Sequence, residues 1–248
     1  ATTFRKKKYK AYQAKRPKMA EELVGQIERV HEVVSAMNIP IFELDGFEAD
    51  DVIGTLVKQA NLETIVVTGD RDLLQLVDEK TKVYLPVKGL SQSALFDEAG
   101  VRVKMGVLPR QIPDLKGLIG DQSDNYPGVS GIGPKTAVKL LEKYGTLEKI
   151  FGKLDELAKL ENKIAEKLRA GREMGELSFE LATIRRDVPV KLDLKKCQLM
   201  DYDFKKISKL LDELEFHSMI TRLPKDIHEI EKPVEQKKKE ESQQIKLF

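Results

Sequence analysis

Thr64-Ile65-Val66-Val67-Thr68-Gly69-Asp70-Arg71-Asp72 is the stretch that decides the fold. An unbroken β-branched run stopped by glycine suits a strand buried on both faces, and such strands belong to parallel sheets covered by helices. Two carboxylates then leave the carboxyl end of that strand, the edge at which open α/β sheets bind ligands. The same residues also suit a turn in which Asp caps the next helix.

Working outward, Glu48 to Ala60 reads as a helix and Pro40 to Leu44 as a strand before it. Further upstream, Pro17 restarts a helical pattern that carries Leu23, Ile27, Val30 and Val34 on one face. Downstream, Asp72 to Val77 reads as a short helix and Val83-Tyr84-Leu85 as a strand. Strands alternating with helices predict a parallel α/β sheet covered on both faces. From Leu108 onward helices dominate, broken by glycines between Gly120 and Gly133 and at Gly145. The expected organisation is a partial α/β core with a basic segment over 1–107, a helical region over 108–224, and a charged tail over 225–248. That tail is Lys-, Glu- and Gln-rich and is expected to be disordered, because it cannot bury enough apolar surface to offset ordering entropy.

The chain has 248 residues, enough for a sizeable core. Its 43 Lys and Arg against 41 Asp and Glu leave a net charge of +2, so overall charge names no partner and only its distribution can. Cys197 stands alone, which excludes an intramolecular disulfide and a cysteine zinc site. No apolar run approaches the roughly 20 residues a membrane helix needs. Ala1-Thr2-Thr3-Phe4-Arg5 carries neither an initiator Met nor a charged leader, and the start reads as a cut inside a domain.

Three acidic clusters mark loop ends: Glu48, Asp50 and Asp51; Asp70 and Asp72; and Asp121 and Asp124, the last within Gly120-Asp-Gln-Ser-Asp-Asn-Tyr-Pro-Gly128. Each alone has a plain reading: acids at a helix N-terminus, a capping turn, an Asx-rich loop. Together they could converge only if cations cancelled their repulsion, and oxygen-only ligands select hard ions such as Mg²⁺ or Mn²⁺. His31, His217 and His228 are scattered and read as structural or solvated.

Gly128-Val-Ser130-Gly131-Ile-Gly133-Pro-Lys135-Thr136-Ala137 runs into a helical pattern and is a helix-hairpin-helix signature. Glycines allow close approach of a phosphate, and the helix start directs amides and dipole at the anion. Ser130, Gly131, Gly133, Lys135 and Thr136 are the expected duplex contacts, with a ligand-free helix turn as the plain alternative. Near the start, Arg5 to Arg16 intersperses basic residues with Phe4, Tyr9 and Tyr12, a pattern suited to single-stranded DNA and equally to a solvated basic helix.

With these residues in order, the sequence resembles the 5′-to-3′ exonuclease domain at the N-terminus of bacterial DNA polymerase I, within the flap endonuclease family. The resemblance covers Thr3 to about Pro224 and rests on Thr3-Phe-Arg, Tyr12, Arg16-Pro17, Glu48-Ala-Asp-Asp-Val-Ile-Gly-Thr-Leu, Thr68-Gly-Asp-Arg-Asp-Leu, Gly120-Asp-Gln-Ser-Asp-Asn-Tyr-Pro-Gly-Val, Gly131-Ile-Gly-Pro-Lys-Thr-Ala and Leu181-Ala-Thr-Ile. It implies a PIN-like nuclease core followed by a helical helix-hairpin-helix region. It also implies a two-metal site, with Glu48, Asp50 and Asp51 in one ligand cluster and Asp70, Asp72, Asp121 and Asp124 in the other. Arg5, Tyr12 and Arg16 would engage the 5′ strand beneath a helical arch, and the hairpin would hold duplex and K⁺. The family's first strand and next acidic strand end, each with an Asp ligand, would precede Ala1. From this the chain as given is expected to bind DNA but cut it poorly, and to fold less stably.

Gln244-Ile245-Lys246-Leu247-Phe248 resembles the peptide with which bacterial proteins bind the sliding clamp, through Gln244, Leu247 and Phe248. The resemblance further implies a monomeric, cytoplasmic enzyme of replication and repair acting on 5′ ends and flaps. A DNA-binding module without catalysis competes with this reading but leaves the clustered acids unexplained, because carboxylates repel phosphate. A metal-dependent ribonuclease would leave the hairpin unexplained.

Overall fold

A computed structural model describes residues 2–88, 92–198 and 202–223. The chain opens with α1 (Phe4–Lys8), α2 (Glu21–Ala36) and α3 (Ala49–Ala60). Strands β1 (Thr64–Val67), β2 (Thr81–Lys88) and β3 (Gln92–Phe96) follow, with a 3₁₀ turn at Arg71–Leu76 between the first two. Helices α4 (Glu98–Met105), α5 (Ile112–Ile119), α6 (Pro134–Tyr144), α7 (Leu147–Gly152), α8 (Leu154–Ala170) and α9 (Arg172–Ala182) come next. The described chain ends with α10 (Phe204–Glu213) and α11 (His217–Ile220). None of these helices is long and apolar enough to cross a membrane.

Two compact units form, one from Ala1–Pro17 and Phe42–Leu192, the other from Lys18–Ile41 and Asp193–Phe248. In the second unit Ala36 of α2 shares a small core with Ile207 and Leu211 of α10 and with Leu223, far away in sequence.

In the first unit the helix and strand assignments around Gly69 hold: Glu48 directly precedes α3, and β1, the 3₁₀ turn and β2 fall where the pattern placed them. The sheet has order β1-β2-β3. β1 and β2 are parallel, pairing Val66 with Val83, whereas β2 and β3 are antiparallel, pairing Tyr84 with Leu95. The sheet is therefore mixed and small. Val66, Val83, Leu85 and Phe96 point into the core, while Ile65, Val67, Tyr84 and Leu95 are exposed, so among the described residues one sheet face is open rather than covered. Pro40 to Leu44 is not a strand. An extended segment becomes a strand only through ladder partners, and none is assigned to it among the described residues.

The first unit's core joins this sheet to the helices through Leu73, Leu74 and Leu76 of the 3₁₀ turn, Ile112 and Leu118 of α5, and Leu141 of α6. At roughly 1.5 to 3 kcal/mol for each buried aliphatic side chain, these contacts fix α5 against the turn that carries Asp70 and Asp72. That anchoring sets the geometry of the acids.

Candidate active site

Asp51 lies in the first turn of α3 and is fully buried. Its Oδ2 accepts hydrogen bonds from the Glu48 backbone N–H at 3.1 Å and from Arg5 Nη1 at 2.7 Å. Its Oδ1 accepts from Arg5 Nη2 and from the Arg185 N–H, both at 2.9 Å. Arg5 is itself buried and donates further to the carbonyls of Leu181 and Thr183, each at 2.8 Å. A planar guanidinium matches a carboxylate in two parallel bonds, and the extra carbonyls satisfy its remaining donors. Arg5 and Asp51, singled out in the sequence for DNA and metal, are thus turned toward each other, and Asp51 does not line the cleft.

Five of the other carboxylates converge: Glu48, Asp50, Asp70, Asp72 and Asp124 line one cleft of about 340 Å³ together with Tyr12 and Arg16, whereas Asp121 does not line it and reaches Asp72 through Lys116. Burial, and then the charges of Asp70, Asp72 and Glu48, push the Asp50 carboxyl up to about 7. Burial also raises Glu48 and Asp72, although Arg5 and Lys116 respectively pull them back. Asp70 fulfils the plain capping role as well, since its Oδ1 accepts from the Asp72 N–H at 2.9 Å. A donor set made only of carboxylate oxygens, with charge at Asp50 only partly offset by Arg5, fits a hard divalent cation. Among the described residues, no three His, Cys, Asp or Glu side chains stand close enough as they are to hold one. Cationic side chains of the chain itself hold several of the acids instead.

Asp121 and Asp124 sit on a pinched loop. Asp121 and Tyr126 form an antiparallel bridge, the Asp121 N–H donating to Tyr126 O at 2.8 Å and the Tyr126 N–H to Asp121 O at 3.0 Å. At the base Gly120 and Gly128 cross, both at positive φ, and a Cβ on Gly128 would lie 2.2 Å from Gly120 N. Only glycine allows that crossing. Asp121 Oδ1 accepts from the Ser123 N–H at 2.7 Å, the bond of an Asx-type loop. Asp124 accepts from Tyr12 Oη at 2.9 Å, Arg16 Nη2 at 2.7 Å and Gln13 Nε2 at 3.2 Å. Tyr12 is buried, stacked on Tyr126, and also 3.1 Å from Glu48 Oε2, so its hydroxyl spans two carboxylates and donates to one at a time. Tyr12 and Arg16 therefore organise the acids. The exposed cations of this segment are Lys7, Lys8, Lys10, Lys15 and Arg16, of which Lys8 pairs with Glu180 and Arg16 with Asp124.

Lys116 was not singled out in the sequence. It is a buried cation on α5 whose Nζ contacts both Asp72 Oδ1 and Asp121 Oδ2. Burial disfavours its charge, but the two carboxylates outweigh that and hold its pKa above the ordinary value. Asp121 correspondingly lies below the carboxylate range: burial opposes its charge, and the bonds from Lys116 and Ser123 prevail. The signal available was a lone lysine inside Ile112-Pro-Asp-Leu-Lys-Gly-Leu-Ile119, five positions before Asp121.

The same connection between α5 and α6 continues into the hairpin. Ser130, Gly131, Gly133 and Lys135 are exposed and Thr136 partly so, whereas Ile132 and Ala137 are buried. Gly133 is the N-cap of α6 and Pro134 opens it, leaving first-turn amides at the surface end. The carbonyl of Gly131 accepts from Lys167 Nζ at 3.1 Å. Gln244, Leu247 and Phe248 lie outside the described residues.

Two family descriptions match consecutive parts of the chain: the 5′-3′ exonuclease N-terminal resolvase-like domain over residues 1–106, and the 5′-3′ exonuclease C-terminal SAM fold over residues 107–205. DNA polymerase I of Caldicellulosiruptor bescii is 44% identical over 224 residues, covering 88% of this chain and 26% of the relative. DNA polymerase I of Bacillus caldotenax is 43% identical over 236 residues, covering 94% and 27%. The chain thus spans about a quarter of the length of these relatives. Among solved structures, the T5 D15 protein co-crystallised with metal ions aligns with a TM-score of 0.61 at 19% identity, covering 88% of this chain and 80% of that one. The catalytic core of Rad2 in complex with DNA substrate aligns with a TM-score of 0.57 at 16% identity, covering 90% and 76%. At these identities the structural likeness speaks for the fold.

Proposed function

We infer that this chain, which belongs to the 5′-3′ exonuclease family, hydrolyses DNA phosphodiesters at 5′ ends and flaps in replication and repair, with two divalent cations, Mg²⁺ or Mn²⁺, held in the acidic cleft. The observation that carries this reading is the convergence of Glu48, Asp50, Asp70, Asp72 and Asp124 on one cleft, where burial and the neighbouring acids raise the Asp50 carboxyl. Acids crowded to that degree weaken a mere binder of DNA and serve a metal-dependent nuclease. The metal ions of the T5 D15 structure and the DNA of the Rad2 structure support it.

In this reading Glu48, Asp50, Asp70, Asp72, Asp121 and Asp124 hold the ions, while Asp51 and Arg5 lock the start of α3 to the Leu181–Thr183 strip. Bound divalent cations would supply an activated water and stabilise the leaving oxygen. Tyr12 orients Glu48 and Asp124 toward the cleft, and Arg16 is near enough to trade Asp124 for a phosphate. Exposed Lys7, Lys10 and Lys15 draw in the 5′ strand, and the hairpin at Ser130 to Thr136 holds duplex backbone without reading bases. K⁺ at the hairpin carbonyls and binding of Gln244, Leu247 and Phe248 to a sliding clamp complete the proposal. Titrating a peptide of residues 240–248 against a clamp, with Leu247→Ala and Phe248→Ala as control, tests the latter.

For the central reading, release of the 5′ strand from flap DNA is followed with Mg²⁺ or Mn²⁺, with EDTA, and in Asp70→Asn and Asp124→Asn. Slow divalent-ion-dependent cleavage, lost in both variants, with DNA binding equal or tighter, is the expected result. Cleavage that persists in EDTA overturns it, and tight duplex binding with no affinity for Mn²⁺ favours the non-catalytic helix-hairpin-helix module.

A further inference from the structure

Lys116 places a positive charge between two carboxylates read from the sequence as metal ligands. Its neighbours on α5, Ile112, Leu115 and Leu118, are core residues, so its ammonium is carried into the protein by apolar packing. A buried ammonium is costly unless paired, and its partners are Asp72, from the turn after β1, and Asp121, from the pinched loop. Asp121 has one oxygen committed inside its own loop: Oδ1 accepts from the N–H of Ser123 at 2.7 Å, the Ser123 hydroxyl at 2.5 Å and the N–H of Asp124 at 3.2 Å. The oxygen left for a cation is Oδ2, and Lys116 occupies it. Asp72 likewise gives Oδ1 to Lys116.

We propose that Lys116 is a built-in cation that holds Asp72, which lines the cleft, and Asp121, which does not line it, together without metal and is displaced when a divalent ion enters. The inference rests on reading the cleft as a metal site. Two like-charged loop ends would otherwise spread, so the lysine keeps the pair pre-assembled. Its cost is weaker metal binding, because an ion must evict an ammonium from two carboxylates. Lys116 is therefore a positioning residue that sets the metal concentration at which this pair takes up an ion.

The test uses Mn²⁺ as the probe and the full chain without DNA. Acetylation of individual lysines is followed by mass spectrometry, and Mn²⁺ binding by calorimetry. Lys116 is expected to resist acetylation without metal and to react several-fold faster at saturating Mn²⁺, with exposed Lys149 unchanged. Lys116→Met is expected to bind Mn²⁺ at least ten-fold more tightly, and Lys116→Arg is not. Mn²⁺ binding by wild type with unchanged or slower Lys116 acetylation overturns this inference and leaves the metal site standing. No Mn²⁺ binding by wild type or Lys116→Met overturns both. The labelling arm needs no substitution, so a misfolded variant leaves the proposal decidable.

Discussion

Asp50→Asn is expected to stabilise the metal-free protein above neutral pH and to abolish a pH dependence that the wild type shows. Burial and the charges of Asp70, Asp72 and Glu48 move the Asp50 carboxyl from 3.8 to about 7. At about 1.36 kcal/mol per pH unit the ceiling is roughly 4 kcal/mol. Asp50 is only half-buried and its neighbours titrate with it, so screening and coupling bring the expected effect to about 1 to 2 kcal/mol. The sign follows from the folded value lying above the unfolded one. The contribution is fully present below about pH 4 and is lost as pH rises toward 7, where folding must hold an unfavourable charge. Asn is neutral throughout, so the variant should melt about 2 to 6 °C higher than wild type at pH 8 in EDTA, and equally near pH 4. Saturating Mn²⁺ at pH 8 should shrink or reverse the difference, because it stabilises the wild type through the carboxylate that the variant lacks. Melting curves by circular dichroism at both pH values, with EDTA and with Mn²⁺, provide the measurement. A variant no more stable than wild type at pH 8, or one shifted equally at both pH values, would refute the argument that repulsion at Asp50 is only partly offset.

Arg5→Ala leaves Asp51 buried without its charge partner and should cost about 3 to 5 kcal/mol, read from urea unfolding; a loss below about 1 kcal/mol would mean the pair is not the anchor of α3. Gly128→Ala places a Cβ 2.2 Å from Gly120 N at positive φ, so it should destabilise by more than about 3 kcal/mol, whereas Ser178→Ala, which only removes the hydroxyl accepting from the Gly128 N–H at 3.0 Å, should cost about 1 to 3 kcal/mol. Lys135→Ala should weaken binding of any duplex alike and lower the slope of log affinity against log salt by about 1, and an unchanged slope would remove Lys135 from the phosphate contacts.

The sequence by itself determined what is local. A β-branched run followed by Gly69 and two aspartates specifies a strand and the acids at its carboxyl end. Gly133, Pro134 and the apolar spacing of Val138, Leu140, Leu141 and Tyr144 specify the start and apolar face of α6, on which Leu140, Leu141 and Tyr144 are buried and Val138 is partly exposed. These signals lie within a few residues of one another, so propensity and periodicity carry them, and the ordered motifs were enough to indicate the family. Tertiary structure alone decided the charges. Asp51 and Arg5 look like an acid for metal and a base for DNA until a fold brings them together across 46 positions. Tyr12 and Arg16 look like an exposed basic segment until Asp124 arrives from more than 100 residues away. Lys116 looks like a stray lysine in an apolar helix until the core turns it onto Asp72 and Asp121. The strand expected at Pro40 to Leu44 fails for a related reason, since β structure needs a partner and no residue pattern within one segment supplies it. Burial decides whether a charge must be paired and long-range packing decides with what, and neither quantity is written in the spacing of residues along the chain.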